Sequence, residues 1–273
     1  MTASPRRTRL VAGRSVAWRE AGSGPPLVLV HGAGGSADLW GPQLDGLADV
    51  ARVVALDLPG HGPLGGRGQP SVAAYQAWLD GVLTDLIDGP VVLAGHSMGG
   101  AIAQAEVLAR PERLAGLVLV GTGARLSVLA RLVGLLRENP REGQRLIQDL
   151  SFAPGASPEC VELVDRVLRG AAPLVTLADY LACDRFDVGE RLAAIRTPTL
   201  VLAGAEDRLT PLAYGRFLAE TIPGARLVEI PAAGHFPQLE QPHTVNAAIR
   251  EFLARLSGPP AVADARLLPE HRR

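Results

Sequence analysis

The chain has 273 residues, 47% of them hydrophobic, which is enough for one large domain or for a core domain with an inserted segment. The formal net charge is -1 and no basic block is present, so neither nucleic acid nor a membrane is expected as a partner. No apolar run reaches transmembrane length, and no apolar core of a signal peptide follows Arg6 and Arg7. Cys160 and Cys183 lack metal-ligand spacing, so we expect free thiols in a cytoplasmic protein with no metal and no cofactor.

Short apolar runs alternate with helical patterns along the first part of the chain. In chain order we predict a hairpin at residues 10–20, a strand at 27–30, a helix at 40–47, a strand at 52–56, a helix at 71–87, a strand at 91–94, a helix at 98–109 and a strand at 117–120. The strands after the hairpin are almost wholly apolar, which is typical of strands buried on both faces. Strands that alternate with helices predict a mostly parallel, doubly wound α/β sheet.

The pattern changes between residues 122 and 190, where helical segments alternate with Pro and Gly and no strand is predicted. We interpret this stretch as a helical lid inserted between two strands of the sheet. The earlier pattern then resumes with a strand at 199–203, a helix at 211–221, a strand at 226–230 and a helix at 243–256. The predicted domains are a core of residues 1–121 and 191–256, a helical lid of residues 122–190 and a flexible C-terminal tail of residues 257–273.

Residues 95–100, Gly-His-Ser-Met-Gly-Gly, lie between a predicted strand and a predicted helix. A Gly-x-Ser-x-Gly sequence in this setting is typical of a nucleophile elbow, a tight turn that holds the serine hydroxyl at the sheet edge. Gly95 and Gly99 suit the turn because a Cβ atom at either position would clash with the neighbouring strand or helix. The structural alternative for Ser97 is an ordinary turn serine, and the strand before it and helix after it favour the elbow.

Polar, glycine-rich stretches follow several of the predicted strands, at the edge of the sheet where ligands bind in such folds. Five motifs occur in a fixed order: His31-Gly32-Ala33-Gly34-Gly35, Asp57-Leu58-Pro59-Gly60-His61-Gly62, Gly95-His96-Ser97-Met98-Gly99-Gly100, Gly204-Ala205-Glu206-Asp207-Arg208 and Gly234-His235-Phe236. With these motifs the chain resembles, from residue 10 to residue 256, the lid-bearing, esterase-like branch of the α/β-hydrolase fold superfamily. It departs from many relatives after Gly62, where Pro63-Leu64-Gly65 replaces a small polar residue followed by serine.

The resemblance implies a Ser-His-Asp catalytic triad in the chain order of this fold. Ser97 would be the nucleophile and His235 the base that takes its proton and returns it to the leaving group. Asp207 would fix the tautomer of His235 and stabilise its cation. The adjacent Glu206 is the alternative to Asp207, and the structural alternative for His235 is a surface-loop histidine.

The resemblance also implies an oxyanion hole built from the backbone N–H groups of Ala33 and Met98. The alternative for residues 31–35 is a tight turn without a catalytic role. The other histidines of the motif loops are expected to hold those loops by hydrogen bonds instead of doing chemistry. These residues are His31, His61 and His96.

Together these assignments predict a serine hydrolase that cleaves small to medium, mostly apolar carboxylic esters through an acyl-enzyme intermediate. The same site could instead serve a carbon–carbon bond hydrolase, a lactonase, a perhydrolase or an acyltransferase, because the fold does not determine the reaction. A third possibility is a binding protein of the same fold without activity. The presence of all three triad residues argues against that possibility.

Overall fold

The computed structural model describes residues 4–11 and 13–257 of the chain. Within these residues eight strands form one sheet: β1 Arg6–Val11, β2 Arg14–Ala21, β3 Pro26–Val30, β4 Arg52–Asp57, β5 Val91–His96, β6 Leu114–Val120, β7 Thr199–Gly204 and β8 Arg226–Ile230. Their order across the sheet is β1-β2-β4-β3-β5-β6-β7-β8. β1 and β2 form an antiparallel hairpin at the edge, and β2 also pairs antiparallel with β4. The six strands β3 to β8 are parallel to one another. The predicted mostly parallel α/β sheet is confirmed.

The described residues also form ten helices: α1 Gly41–Gly46, α2 Val72–Leu86, α3 Met98–Ala109, α4 Ala130–Glu138, α5 Pro140–Ser151, α6 Pro158–Gly170, α7 Pro173–Asp184, α8 Leu212–Thr221, α9 Pro237–Glu240 and α10 Pro242–Ser257. The short α9 lies in a stretch where the sequence pattern predicts no helix. Ser257, the first residue of the predicted tail, is the last residue of α10. The rest of that tail, residues 258–273, lies outside the described residues.

The central strands of the sheet, β3 to β7, are buried on both faces, as their apolar sequences predict. On β3, Val28 and Val30 pack into a core cluster with residues of α2 and α3. Leu27 and Leu29 point to the opposite face and pack with residues of α1 and α10. Alternate residues of one strand therefore pack into two different cores, one on each face of the sheet. The polar motifs lie in the loops at the carboxyl ends of the strands.

Helices α4 to α7, which we call the helical segment, lie between β6 and β7. Leu132, Leu136 and Val164 of this segment form a third buried cluster with Leu39 and Phe236 of the loops beside the sheet. The leucines at helical spacing therefore pack the segment onto the rest of the molecule. Its role as a lid stays a prediction.

Glu106 of α3 is a buried acid that the fold leaves incompletely paired. Its side chain accepts one hydrogen bond, from Gln76 of α2 at 2.7 Å, and among the described residues its Oε1 atom has no partner. Burial raises the pKa of Glu106 to about 7, from an ordinary value of 4.5. The folded state thus holds this proton more tightly than the unfolded state does.

We expect the free energy of unfolding to fall as the pH rises from about 4.5 to about 7, since unfolding then releases the proton of Glu106. The Glu106→Gln variant should lack this decline. At about pH 8 the free energy of unfolding of Glu106→Gln should exceed that of the parent by a few kcal/mol at most. Each unit of pKa difference between the folded and unfolded states corresponds to about 1.4 kcal/mol. Urea unfolding at about pH 5 and pH 8 measures the difference, with the exposed Glu112→Gln as a control. Equal pH dependence in parent and Glu106→Gln would contradict the assignment.

Candidate active site

Ser97 is the single residue between β5 and α3, and it has φ 53° and ψ −117°. This region is costly for a residue with a Cβ atom, and such strain is concentrated at functional sites. A Cβ atom on Gly95 would overlap the carbonyl oxygen of Gly99, and one on Gly99 would overlap that of Val30. The strand, turn and helix therefore pack this tightly only because both positions are glycine.

His235 lies in the turn between β8 and α9, and its backbone is held from three directions. Its N–H donates to the carbonyl of Ser151, the last residue of α5, at 2.6 Å. Its own carbonyl accepts from the ring of His96 at 2.7 Å. The carboxylate of Glu240 accepts from the N–H groups of the two residues that flank His235, at 3.0 and 3.2 Å. The imidazole, 5% exposed, is thus set on a fixed backbone.

Asp207 follows β7, and its Oδ2 atom lies 2.9 Å from Nδ1 of His235. The same oxygen accepts from the Thr210 hydroxyl at 2.7 Å, and Oδ1 accepts from the N–H groups of Leu209 and Thr210 at 2.8 Å. Burial alone would raise the pKa of Asp207, but His235 and the Thr210 bonds hold it below its ordinary value. The neighbouring Glu206 is exposed. Of these two carboxylates, it is Asp207 that meets the histidine.

The ring of His96, the residue before Ser97, lies with its centroid 4.8 Å from that of His235. In the described residues no hydrogen bond joins the Ser97 hydroxyl to the His235 ring, and Nε2 of that ring bonds to no other group. Hydrogen bonds of this kind often tighten only when a substrate is present. The structure thus contains the hydrogen bond between Asp207 and His235, and the hydrogen bond from the Ser97 hydroxyl to His235 is not formed.

The loop at residues 31–35 lies against the serine. A Cβ atom on Gly32 would be 3.0 Å from the Cβ atom of Ser97. Met98 is the first residue of α3, so its N–H has no partner within the helix. Across the described ranges, neither the Met98 N–H nor the Ala33 N–H donates a hydrogen bond to the protein. Two backbone N–H groups near the Ser97 turn are thus without an acceptor among the described residues.

Two buried histidines of the motif loops, His31 and His96, hold those loops by hydrogen bonds. Nε2 of His31 accepts from the Leu58 N–H at 3.0 Å, so Nδ1 carries the proton and donates to the Gly32 carbonyl at 2.8 Å. Burial holds the pKa of His31 well below its ordinary value. Burial likewise lowers the pKa of His96 to about 3, which keeps its ring neutral while Nε2 donates to the carbonyl of His235.

The five motifs stand on the carboxyl ends of neighbouring strands, and the sequence matches the alpha/beta hydrolase family over residues 27–248. The chain belongs to the alpha/beta hydrolase family. It is 31% identical to the dihydrolipoyllysine-residue acetyltransferase component of the acetoin cleaving system of Pseudomonas putida, over 90% of this chain and 68% of that one. It is 32% identical to a 2-hydroxy-6-oxononadienedioate/2-hydroxy-6-oxononatrienedioate hydrolase of Burkholderia vietnamiensis, over 88% of this chain and 91% of that one.

Among solved structures, this alpha/beta hydrolase is similar to a thermophilic esterase from Thermogutta terrifontis with malate bound. The TM-score is 0.84 and the identity 30%, covering 93% of this chain and all of the other. These relatives are an acetyltransferase component, a hydrolase and an esterase. Family and relatives together support a hydrolase, and they leave the bond that it cleaves open.

Three residues of this alpha/beta hydrolase site are absent from the sequence-based assignment. Thr210 bonds to Asp207 and lies 3.2 Å from His235, and its spacing of three from Asp207 is a usable local signal. Glu240 holds the turn of His235, and Asp179 of α7 holds the loop at residues 31–35. Neither carboxylate stands in a motif, so no local pattern points to it.

The described part of the alpha/beta hydrolase contains no group of three or more His, Cys, Asp or Glu side chains that could hold a metal ion. Cys160 and Cys183 are buried free thiols. Over the same residues, no helix combines the length and the apolar character that crossing a membrane requires.

Proposed function

We propose that this alpha/beta hydrolase is a serine hydrolase that cleaves small to medium, mostly apolar carboxylic esters through an acyl-enzyme intermediate. Ser97 is the nucleophile, His235 the general base and acid, and Asp207 the residue that orients His235. The observation that carries the proposal is the 2.9 Å contact of Asp207 with His235, next to a serine held at φ 53°. A free serine hydroxyl is too weakly acidic to attack an ester at neutral pH without such a base.

The contacts of His235 support a path for the proton. Because Asp207 accepts at Nδ1 of His235, that nitrogen carries the proton and Nε2 is left as the base. Nε2 takes the proton of Ser97 as its oxygen attacks the ester carbonyl, and the cation formed is stabilised by Asp207. The same nitrogen then protonates the leaving alcohol. A water molecule, activated in the same way, releases the acid and restores Ser97.

The N–H groups of Ala33 and Met98 are proposed to bind the oxyanion of the tetrahedral intermediate. Both are without a protein partner in the described residues, and the loop of Ala33 contacts the turn of Ser97. The N-terminus of α3 adds its positive dipole end to the same point. Each aligned donor in such a site contributes a few kcal/mol to transition-state stabilisation.

We also propose that the helical segment is the lid of this site. It touches the catalytic loops directly, because α5 ends at the carbonyl that binds the N–H of His235. Just beyond α5, the Ala153 N–H donates to Glu240 at 2.9 Å. A segment in this position covers the reacting groups and decides which substrates reach them. An ester substrate is supported by the resemblance of this chain to a solved esterase structure.

Two measurements test the proposal. A fluorophosphonate probe should label the protein, and peptide mapping should place the label on Ser97. Turnover of p-nitrophenyl esters of graded acyl length should exceed turnover of a ring-cleavage diketone, the substrate type suggested by the Burkholderia relative. Absence of labelling would overturn the serine mechanism. Labelling together with diketone turnover and no ester turnover would keep the mechanism and replace the ester with a carbon–carbon bond.

A further inference from the structure

Asp179 is a fully buried carboxylate on α7, within the helical segment. Its Oδ2 atom accepts from the N–H of Gly34 at 3.0 Å and lies 2.8 Å from Nε2 of His61. Its Oδ1 atom accepts from the Tyr75 hydroxyl at 2.7 Å. We call these four residues the Asp179 cluster. The cluster joins one helix of the segment to three separate parts of the core: the loop after β3, the loop after β4, and α2.

The hydrogen-bond partners of His61 match a charged ring. Nδ1 lies 3.0 Å from the carbonyl oxygen of Pro59, and Nε2 faces the carboxylate of Asp179. With Asp179 as a carboxylate both partners are acceptors, and both ring nitrogens then donate. Burial alone would lower the pKa of His61, but the hydrogen bond and charge of Asp179 raise it above its ordinary value. Asp179 and His61 form a buried ion pair when the His61 ring carries both protons.

The ion pair acts on the loop through a single peptide group. Gly34 has φ 66°, and a Cβ atom on it would lie 3.3 Å from side-chain atoms of Leu168 and Thr176 of the helical segment. The N–H of Gly34 donates to Asp179, so this N–H does not bind an oxyanion. The peptide that carries this N–H joins Gly34 to Ala33. Asp179 thus fixes the orientation of the peptide next to the proposed oxyanion donor.

We propose that Asp179 is a positioning residue for the oxyanion loop, which it holds in register with Ser97 from across the helical segment. This inference rests on the proposed function, since it assumes that Ala33 donates to the oxyanion. Donors act only within about 2.7–3.1 Å of the oxyanion, so a small displacement of the loop weakens transition-state binding. Displacements of about 1 Å in such sites cost about 100-fold in rate.

The competing explanation is that the Asp179 cluster only fastens α7 to the core. The two explanations differ in what a variant loses. A fastening role lowers stability and the fraction of folded enzyme, and each folded molecule keeps its full rate. A positioning role lowers kcat per active site while KM changes little, because the lost interaction belongs to the transition state.

The test is the Asp179→Asn variant, which keeps the shape of the side chain and removes its charge. The control is Asp165→Asn, the same change on α6, where the carboxylate bonds only to Gln148 and Arg169 of the helical segment. Active sites are counted by fluorophosphonate labelling, and kcat and KM for a p-nitrophenyl ester are expressed per labelled site. We expect kcat of Asp179→Asn to fall at least about 10-fold, with KM within about threefold of the parent. Asp165→Asn should keep the parental values.

A parental kcat per labelled site in Asp179→Asn would overturn the inference, whatever the change in melting temperature. If that variant does not fold, His61→Gln decides instead, because it removes the cation that holds the Asp179 carboxylate. Its kcat per labelled site should then fall in the same direction, and a parental value would overturn the inference. A parent protein that neither labels nor turns over esters refutes the proposed function, and with it the role of Asp179. The two failures are therefore distinguishable.

Discussion

Replacing Ser97 with alanine is expected to lower kcat/KM for a p-nitrophenyl ester by about 10⁴-fold or more and to abolish fluorophosphonate labelling. The reason is that no acyl-enzyme can form without the hydroxyl, and His235 and Asp207 then have no proton to transfer. The residual rate should stay above that of the uncatalysed reaction. Binding and the N–H groups of Ala33 and Met98 can still stabilise the oxyanion when water attacks.

The fold should be unaffected by Ser97→Ala, because the Ser97 hydroxyl makes no hydrogen bond to another described residue. Its melting temperature should match that of the parent. Ser71→Ala is the matched control: it removes the side-chain oxygen that caps α2 and should lower stability by about 1 kcal/mol. Its kcat/KM should remain parental. Retention of more than about one-tenth of the activity by Ser97→Ala would refute the proposed nucleophile.

The second large effect is expected from Asp207→Asn. An amide in place of the carboxylate can turn its NH₂ group toward His235, which then accepts at Nδ1 and carries its proton on Nε2. The ring is then in the wrong tautomer to take the proton of Ser97. We expect kcat to fall by about 10³- to 10⁴-fold, while labelling becomes slow instead of absent.

Glu206→Gln is the matched control for this variant, since it makes the same chemical change on the adjacent, exposed carboxylate. It should alter kcat by less than about twofold. Steady-state kinetics of the two variants, with circular dichroism to confirm folding, decide between the carboxylates. A larger loss in Glu206→Gln than in Asp207→Asn would reverse the assignment.

Much of the core could be predicted from the sequence because its signals are local. The strand, glycine turn and helix around Ser97 are predicted by a few adjacent residues. The apolar strands predict a sheet that is buried on both faces. Glu206 and Asp207 show where local information ends. Both follow β7 directly, and only the turn that bonds Asp207 to the N–H groups of Leu209 and Thr210 selects between them.

The supports of the site could not be predicted, because they join residues far apart in the chain. Asp179 and Gly34 are separated by 145 positions, and the Ser151 carbonyl that binds the N–H of His235 belongs to a different layer of the molecule. A buried aspartate on a helix and an ordinary helix C-terminus carry no pattern of their own. Their roles depend on how the helical segment packs against the core. The spacing of leucines such as Leu132 and Leu136 indicates only that the segment has an apolar face.

The bond from the His235 N–H to the Ser151 carbonyl has a consequence for redesign of this enzyme. Grafting the stretch between β6 and β7 from a relative would exchange the anchor of the histidine together with the proposed lid. A chimera could therefore lose turnover even where its new cavity fits the intended molecule. Diversification restricted to α4 and α6, with the end of α5 and Asp179 of α7 kept, would separate changes of selectivity from damage to the proton-transfer apparatus.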